Sequence, residues 1–202
     1  MTNKERILYA ATRLLAQKGY KEASMADLAG FIGVAQGTIF YHFNNKETLF
    51  LSVLKHFQKK IEKAFLDYEN TNKFSDGLDS LLQKIRFLFH IAGTMGDEFL
   101  LLHRHDAYEI AEESRECRRS LERIYSSLVS FLEQAIKIGQ ADGSIDPMQS
   151  RNTALTIFTL VDGFIRFNTY GIYETGVLYE DFIDSARRIV RNPEQPCIKD
   201  VK

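Results

Sequence analysis

The stretch Ser24 to Phe50, SMADLAGFIGVAQGTIFYHFNNKETLF, constrains the fold and use of this chain more than any other part of it. Ser24 and Asp27 have the S-x-x-D form of a capping box, so a helix can begin there with its first amide groups satisfied. Met25, Leu28, Ala29 and Ile32 follow at helical spacing as one apolar stripe, and Gly33 supplies the positive φ at which the chain turns sharply. From Ala35 a second short helix is expected to carry Ile39, Phe40 and Phe43 inward. The 3.6-residue period then leaves Gln36, Gly37, Thr38, Tyr41 and His42 outside. Two short helices around a glycine turn make a helix-turn-helix, and amide, hydroxyl and imidazole groups on its open face suit base edges and phosphates. After Asn44 and Asn45, Lys46 opens a further helix, where its ammonium and the positive helix end both favour a phosphate.

Within this stretch, GVAQGTIFYHFNNKETLF resembles the signature of TetR-family regulators. In that family a Gly-Val/Thr turn precedes a recognition helix ending in Tyr-x-x-Phe, and Lys-Glu-x-Leu opens the fourth helix. The matching residues are Gly33, Val34, Tyr41, His42, Phe43, Lys46, Glu47 and Leu49. Ala35 stands where many members carry Ser, which removes one expected phosphate hydroxyl. The resemblance covers residues 3–54 and fades beyond them. It implies DNA binding by Ser24, Gln36, Gly37, Thr38, Tyr41, His42 and Lys46, and control of that binding by a small-molecule effector.

Charge is distributed as that reading requires. The chain has a net charge of −1, yet residues 1–60 hold 9 Lys and Arg against 4 Asp and Glu, while the remainder holds 17 against 23. The basic end is therefore the expected DNA end. Hydrophobic content of 45%, only 3 Pro and apolar stripes of helical period throughout predict an all-α chain. A three-helix DNA-binding domain is expected over residues 1–45, with a larger helical bundle for ligand and dimerisation over 46–202. The charged start at Met1 to Arg6 has no following apolar segment, and the apolar run 154–167 is interrupted by Asp162 and Arg166. Neither resembles a secretory signal or a membrane span, so a cytoplasmic protein without membrane contact is expected.

The first helix is expected over Asn3–Lys18, with Ile7, Leu8, Ala11, Leu14 and Leu15 inward and Gly19 ending it. Lys4, Arg6 and Lys21 flank it within possible reach of phosphates, or are simply solvated. The fourth helix is expected from Lys46 to about Glu69. It is long enough to act as a lever from the DNA to Phe57, Ile61 and Phe65. Ser75 is the expected cap of a fifth helix broken by Gly93 and Gly96, and Asp146-Pro147 the expected start of a helix after Gly139 to Gly143. The segment 97–113 reads as the least regular part.

Between Ala154 and Phe167 apolar residues are too many for one helix face, and the simplest use of the second face is another copy of the chain. Together with a last helix near Tyr179–Arg191, this predicts a homodimer closed through Phe158, Phe164, Phe182 and Ile189. Such a two-fold dimer would match a two-fold operator. Alternatively, both helices merely close the monomer core. Asn192-Pro193 is expected to end the last helix before a fraying tail.

For an effector, polar groups on otherwise apolar segments single out His90, His103, Tyr108, Tyr125, Asp162 and Arg166, beside Phe57, Ile61 and Phe65. A pocket built from these would be mainly apolar with a few polar anchors, suiting a hydrophobic or aromatic molecule. Asp162 and Arg166, at i and i+4, are equally explained by an intrahelical ion pair. A metal or enzyme reading would rest on His103, His105, Asp106 and Glu109, but no complete ligand set or catalytic constellation has recognisable spacing. No cofactor and no enzymatic activity are expected. Cys117 and Cys197 form no paired motif, and the arginines near Cys117 permit a redox-sensing reading. A DNA-binding adaptor that recruits a protein and takes no effector remains the alternative.

Overall fold

The structure, a computed structural model, describes residues 2–173 and 175–191. Among these residues there are ten α-helices and no strand. The helices are α1 (Asn3–Lys18), α2 (Met25–Ile32), α3 (Gln36–His42), α4 (Lys46–Thr71), α5 (Gly77–Thr94), α6 (Gly96–His103), α7 (His105–Glu113), α8 (Arg115–Asp142), α9 (Ser150–Thr169) and α10 (Tyr179–Val190). A 3₁₀ turn, Thr175–Leu178, precedes α10. None is long and apolar enough to cross a membrane.

The chain forms two compact units. One holds the residues up to Asn70 together with Ala92–Ser127, the other Thr71–Ile91 together with the chain from Leu128 onward. In the first unit, α1 begins on a capping box in which the Glu5 amide donates to the Thr2 hydroxyl and the Thr2 amide to the Glu5 carboxylate. Its stripe of Ile7, Leu8, Ala11, Leu14 and Leu15 is buried as the spacing requires. On α4 the buried stripe is Phe50, Val53, Leu54, Phe57, Ile61 and Phe65, while Ala64 and Tyr68 are half-buried. Each large side chain so buried contributes about 1.5–3 kcal/mol.

The segment 97–113 is more regular than its sequence suggests, because Phe99, Leu101 and Leu102 of α6 and Ala107, Ile110 and Ala111 of α7 are all buried. The break between α5 and α6 falls at Met95; Gly93 stays inside α5 and Gly96 opens α6.

In the second unit two predicted helix starts move. Asp76 rather than Ser75 serves the start of α5, its carboxylate accepting from the Asp79 amide at 2.8 Å. The helix predicted at Asp146-Pro147 begins only at Ser150. Residues 145–149 are instead held as a link: the Gln140 side-chain amide donates to the carbonyls of Asp146 and Met148 at 3.3 and 2.8 Å, and the Asp146 amide donates to Val190 O at 3.1 Å. Those bonds satisfy the local backbone without a helical turn. Phe89, Phe164 and Phe182 form an aromatic cluster with ring centroids 4.8–5.5 Å apart, and Tyr179 joins it at 5.5 Å from Phe89. The predicted stop at Asn192-Pro193, the tail after it and Cys197 lie outside the described residues.

Candidate nucleic-acid interface

The turn between α2 and α3 is set by Gly33, whose φ of +75° places it in the left-handed region. Its amide donates to Ala29 O at 2.9 Å and the Val34 amide to the same carbonyl at 3.0 Å, which closes α2 and sends the chain into α3. With 7 residues, α3 is too short to be stable alone, so packing must hold it. Ile39 and Phe43 supply that packing and are fully buried. Phe40, expected inside, is 43% exposed: two inward positions on one helix of this length leave its ring on the flank.

The outward face carries Gln36, Gly37 and Tyr41, with Thr38 and His42 half-buried at its edge. Tyr41 is 85% exposed, and its ring meets that of His42 edge to face at 5.1 Å. The start of α1 stands beside this face. Thr2, Asn3, Lys4, Gly37, Thr38, Tyr41 and His42 together line an open groove of about 550 Å³. The groove therefore joins a polar helix face to the positive end of another helix and to the Lys4 ammonium, a combination suited to a phosphate backbone. Sequence periodicity missed Thr2 and Asn3; the T-x-x-E capping pattern was the available signal.

Two residues expected at the DNA have local partners. The Ser24 hydroxyl accepts from the Asp27 amide at 3.0 Å and donates to the Asp27 carboxylate at 2.7 Å, closing the predicted capping box. Those hydrogen bonds, with Lys18 at 3.2 Å, hold the Asp27 carboxyl below the usual range. The Lys46 ammonium turns inward, donating to the carbonyls of Lys21 and Ala23 at 3.3 and 3.0 Å and lying 4.5 Å from the centre of the Tyr20 ring. It fastens the α1–α2 connection to α4, whose own first turn is capped by Asn45 accepting from the Thr48 amide at 2.8 Å.

A second fastening comes from the α6–α7 junction, which sequence reasoning did not find. Arg104 donates to the carbonyls of Ala16, Gln17 and Lys18 at 3.2, 3.4 and 3.3 Å, so its cation sits on the negative end of α1. Asp106 accepts from Arg104 Nε at 3.3 Å and from the Tyr20 amide. Gly19 makes this possible. Its φ is +85°, and a Cβ there would lie 2.6 Å from Arg104 Nη2 and closer still to the Asp106 carboxylate. One turn along, Glu109 binds Lys21 at 3.0 Å, and that hydrogen bond pushes the lysine pKa up.

Asp106 and Glu109, raised by their spacing as metal ligands, are thus used in ion pairs, with His105 exposed and 3.8 Å from Glu109. Among the described residues no three His, Cys, Asp or Glu side chains gather as a ligand set. Cys117 is buried, and burial pushes its thiol pKa up despite the nearby arginines, against the redox reading.

Of the residues expected around an effector, the first unit brings some together. Phe57 meets Phe99 at 5.5 Å, Phe99 meets buried His103 at 6.4 Å, and the hydroxyls of Tyr108 and Tyr125 are 2.5 Å apart. Ile61 and Phe65 are buried on the same stripe of α4 as Phe57. In the second unit, His90 is exposed and stacks on Phe87 at 6.2 Å, while Asp162 and Arg166 lie 3.8 Å apart as an i, i+4 pair.

Of the residues expected at a dimer interface, Phe158 is buried within its own chain, Phe164 and Phe182 are half-buried in the Phe89 cluster, and Ile189 is exposed. The outward apolar side chains of α9 are Leu155, Leu160 and Phe167.

A helix-turn-helix whose second helix opens a polar face beside the positive end of α1, on an all-helical chain, defines a DNA-binding protein. Residues 7–53 match the family described as bacterial regulatory proteins, tetR family. The regulator TtgR of Pseudomonas putida is 27% identical over 164 residues, covering 79% of this chain and 77% of that one. Structures with the same fold include the fatty acid degradation regulator FadR of Bacillus halodurans, with a TM-score of 0.76, 17% identity and coverage of 97% and 98%. FadR of Bacillus subtilis, solved with stearoyl-CoA, gives a TM-score of 0.72, 21% identity and coverage of 92% and 97%. The tetR-family match thus takes in the helix-turn-helix itself, and along most of its length the chain is similar to regulators of that family; it is a DNA-binding transcriptional regulator. Regulators of this family bind operator DNA as dimers and respond to small molecules.

Proposed function

We propose that this chain is a cytoplasmic repressor that grips a two-fold operator with the face of α3 and the start of α1, and lets go when a small hydrophobic or aromatic effector binds. The groove shared by Thr2, Asn3, Lys4, Gly37, Thr38, Tyr41 and His42 is the observation that carries the reading. Gln36 and His42 read bases, Thr38 and Tyr41 hold phosphate oxygens, and Gly37 lets the backbone approach. Lys46 and Ser24 act one step back, by fixing the α1–α2 connection against α4. Residues 1–45 are the reading domain and 46–202 the domain for effector and dimer.

The effector residues proposed are Phe57, Ile61, Phe65, His103, Tyr108 and Tyr125, all in the first unit. That a structural neighbour was solved with stearoyl-CoA supports an effector with a large apolar part. Because α4 carries Lys46 at one end and Phe57, Ile61 and Phe65 further along, a ligand that alters its tilt would respace the reading helices of a dimer. Selection of binding sites from random DNA, followed by fluorescence anisotropy with and without a panel of hydrophobic compounds, tests both halves. Recovery of no two-fold site would remove the operator reading. A compound that binds tightly without changing operator affinity would remove the effector reading and favour an adaptor.

A further inference from the structure

A second charged feature of the first unit takes no part in the groove at α3. Along α8, Arg115, Arg119 and Arg123 recur at i, i+4 and i+8 and so share one face. With Lys55 of α4, Glu116 and Ser120 they line a pocket of about 330 Å³. The walls are pinned together by Lys55, whose ammonium lies 2.8 Å from the Glu116 carboxylate. That hydrogen bond holds the Glu116 carboxyl below its usual range, and the charges of Arg119 and Arg123 add to it, so both guanidiniums lie within effective range of one carboxylate. Arg118 faces elsewhere and donates to Ala111 O at 3.1 Å.

Arg115, Arg119 and Arg123 make no ion pair among the described residues. Like charges at i, i+4 destabilise a helix, and these three belong to a part of the chain, residues 61–202, with 17 basic residues against 23 acidic. A cationic concavity here is thus against both the local helix preference and the regional charge, and an anion would relieve both. The volume corresponds to roughly ten waters at about 30 Å³ each, more than a single phosphate needs. Arg115 and Arg123 are about 12 Å apart along the helix axis at 1.5 Å per residue, so the row spans more than one phosphoryl group. Guanidinium forks match phosphoryl oxygens in pairs. Lys55 lies nine residues beyond Lys46, about 14 Å along α4 from the end nearest α3, which separates the pocket from the groove.

We propose that the pocket between α4 and α8 is a binding site for the pyrophosphate group of a small phosphorylated ligand, held by Lys55, Arg119 and Arg123 with Arg115 at its edge. The site stands independently of the operator reading, because it is assayed without DNA. The chain has no Trp, so isothermal titration calorimetry on the full-length protein at low ionic strength is the direct measurement. Inorganic pyrophosphate should bind, and Arg119→Gln/Arg123→Gln should weaken it at least tenfold while leaving the thermal midpoint near wild type. Lys55→Gln, on the opposite wall, should weaken it as well. ADP binding tighter than pyrophosphate would identify a nucleotide as the source, and weaker ADP binding an inorganic polyphosphate; either upholds the site. No pyrophosphate binding at millimolar concentration, or binding that these variants leave unchanged, overturns it. A drop of about two in the slope of log operator affinity against log salt, without pyrophosphate binding, would instead make the strip a DNA-phosphate surface.

Discussion

Arg104 closes the end of α1 by donating to the Lys18 carbonyl at 3.3 Å, the last of the three α1 carbonyls it holds. A residue at the α6–α7 junction thereby finishes the first helix of the chain, and Asp106 beside it takes the Tyr20 amide just past that helix. Removing the guanidinium leaves those carbonyls to water and frees Asp106 from its partner. Because the side chain is about one-third exposed, the cost should be near the lower end of the range for charged hydrogen bonds, about 1–2 kcal/mol. Arg104→Ala should therefore speed hydrogen exchange at Gly19, Tyr20 and Ala23 well before it affects α8. Unchanged exchange at these amides would mean the junction does not restrain α1.

Acid should loosen the first unit through Asp27. Its folded pKa is depressed, first by the Ser24 hydroxyl and then by Lys18, so the stabilisation is present above the ordinary value of 3.8 and is lost as pH falls through the depressed one. Glu5 at the start of α1 is shifted in the same direction by the Thr2 amide. The thermal midpoint of the wild type should therefore fall between about pH 5 and 3 more steeply than that of Asp27→Asn. Parallel curves for the two proteins would place the acid sensitivity elsewhere.

The capping box at Ser24, the left-handed Gly33 and the stripes of α1 and α4 were legible because each depends on residues within one or two turns of each other. Phe40 misled because periodicity gives a direction and not the width of the buried face. Asp146-Pro147 misled because a good local helix start was outweighed by hydrogen bonds from Gln140 and to Val190, the latter more than forty residues away. Lys46 and Arg104 share that lesson: their partners are carbonyls, which have no signature in sequence. Only the glycine at position 19, with a charged residue needing its space, hints at such an interaction.

At the DNA, two kinds of variant should separate two kinds of interaction. Gln36→Ala should relax base preference at one position in each half-site, with a loss of about 1–3 kcal/mol on the preferred sequence and little on others. Lys4→Gln, at the rim of the groove, should weaken all sequences alike and lower the salt slope by about 0.9 for each phosphate that the lysine neutralises in the wild type. Anisotropy titrations over a range of salt on a preferred and a scrambled site distinguish these patterns. Gln36→Ala with unaltered sequence preference would remove that residue from base reading.

The two faces of α9 should respond oppositely to a charge. Phe158 is 5% exposed in the single chain, so Phe158→Glu puts a carboxylate into the core without a partner and should cost several kcal/mol, enough to unfold the protein or nearly so. Leu155 is 52% and Leu160 47% exposed, with Gly163 between half-buried neighbours and nothing within 4 Å of where its Cβ would lie. On this open face a second copy can approach closely, and a two-fold axis would set each substituted position near its own equivalent. Leu160→Glu should leave the helical circular dichroism signal intact while raising the dimer dissociation constant at least a hundredfold, because two carboxylates then meet in a desolvated interface. Operator affinity should fall with it, since a monomer reaches only one half-site. Sedimentation velocity at micromolar concentration reads the outcome: a Leu160→Glu protein that stays dimeric would move the interface away from this face of α9.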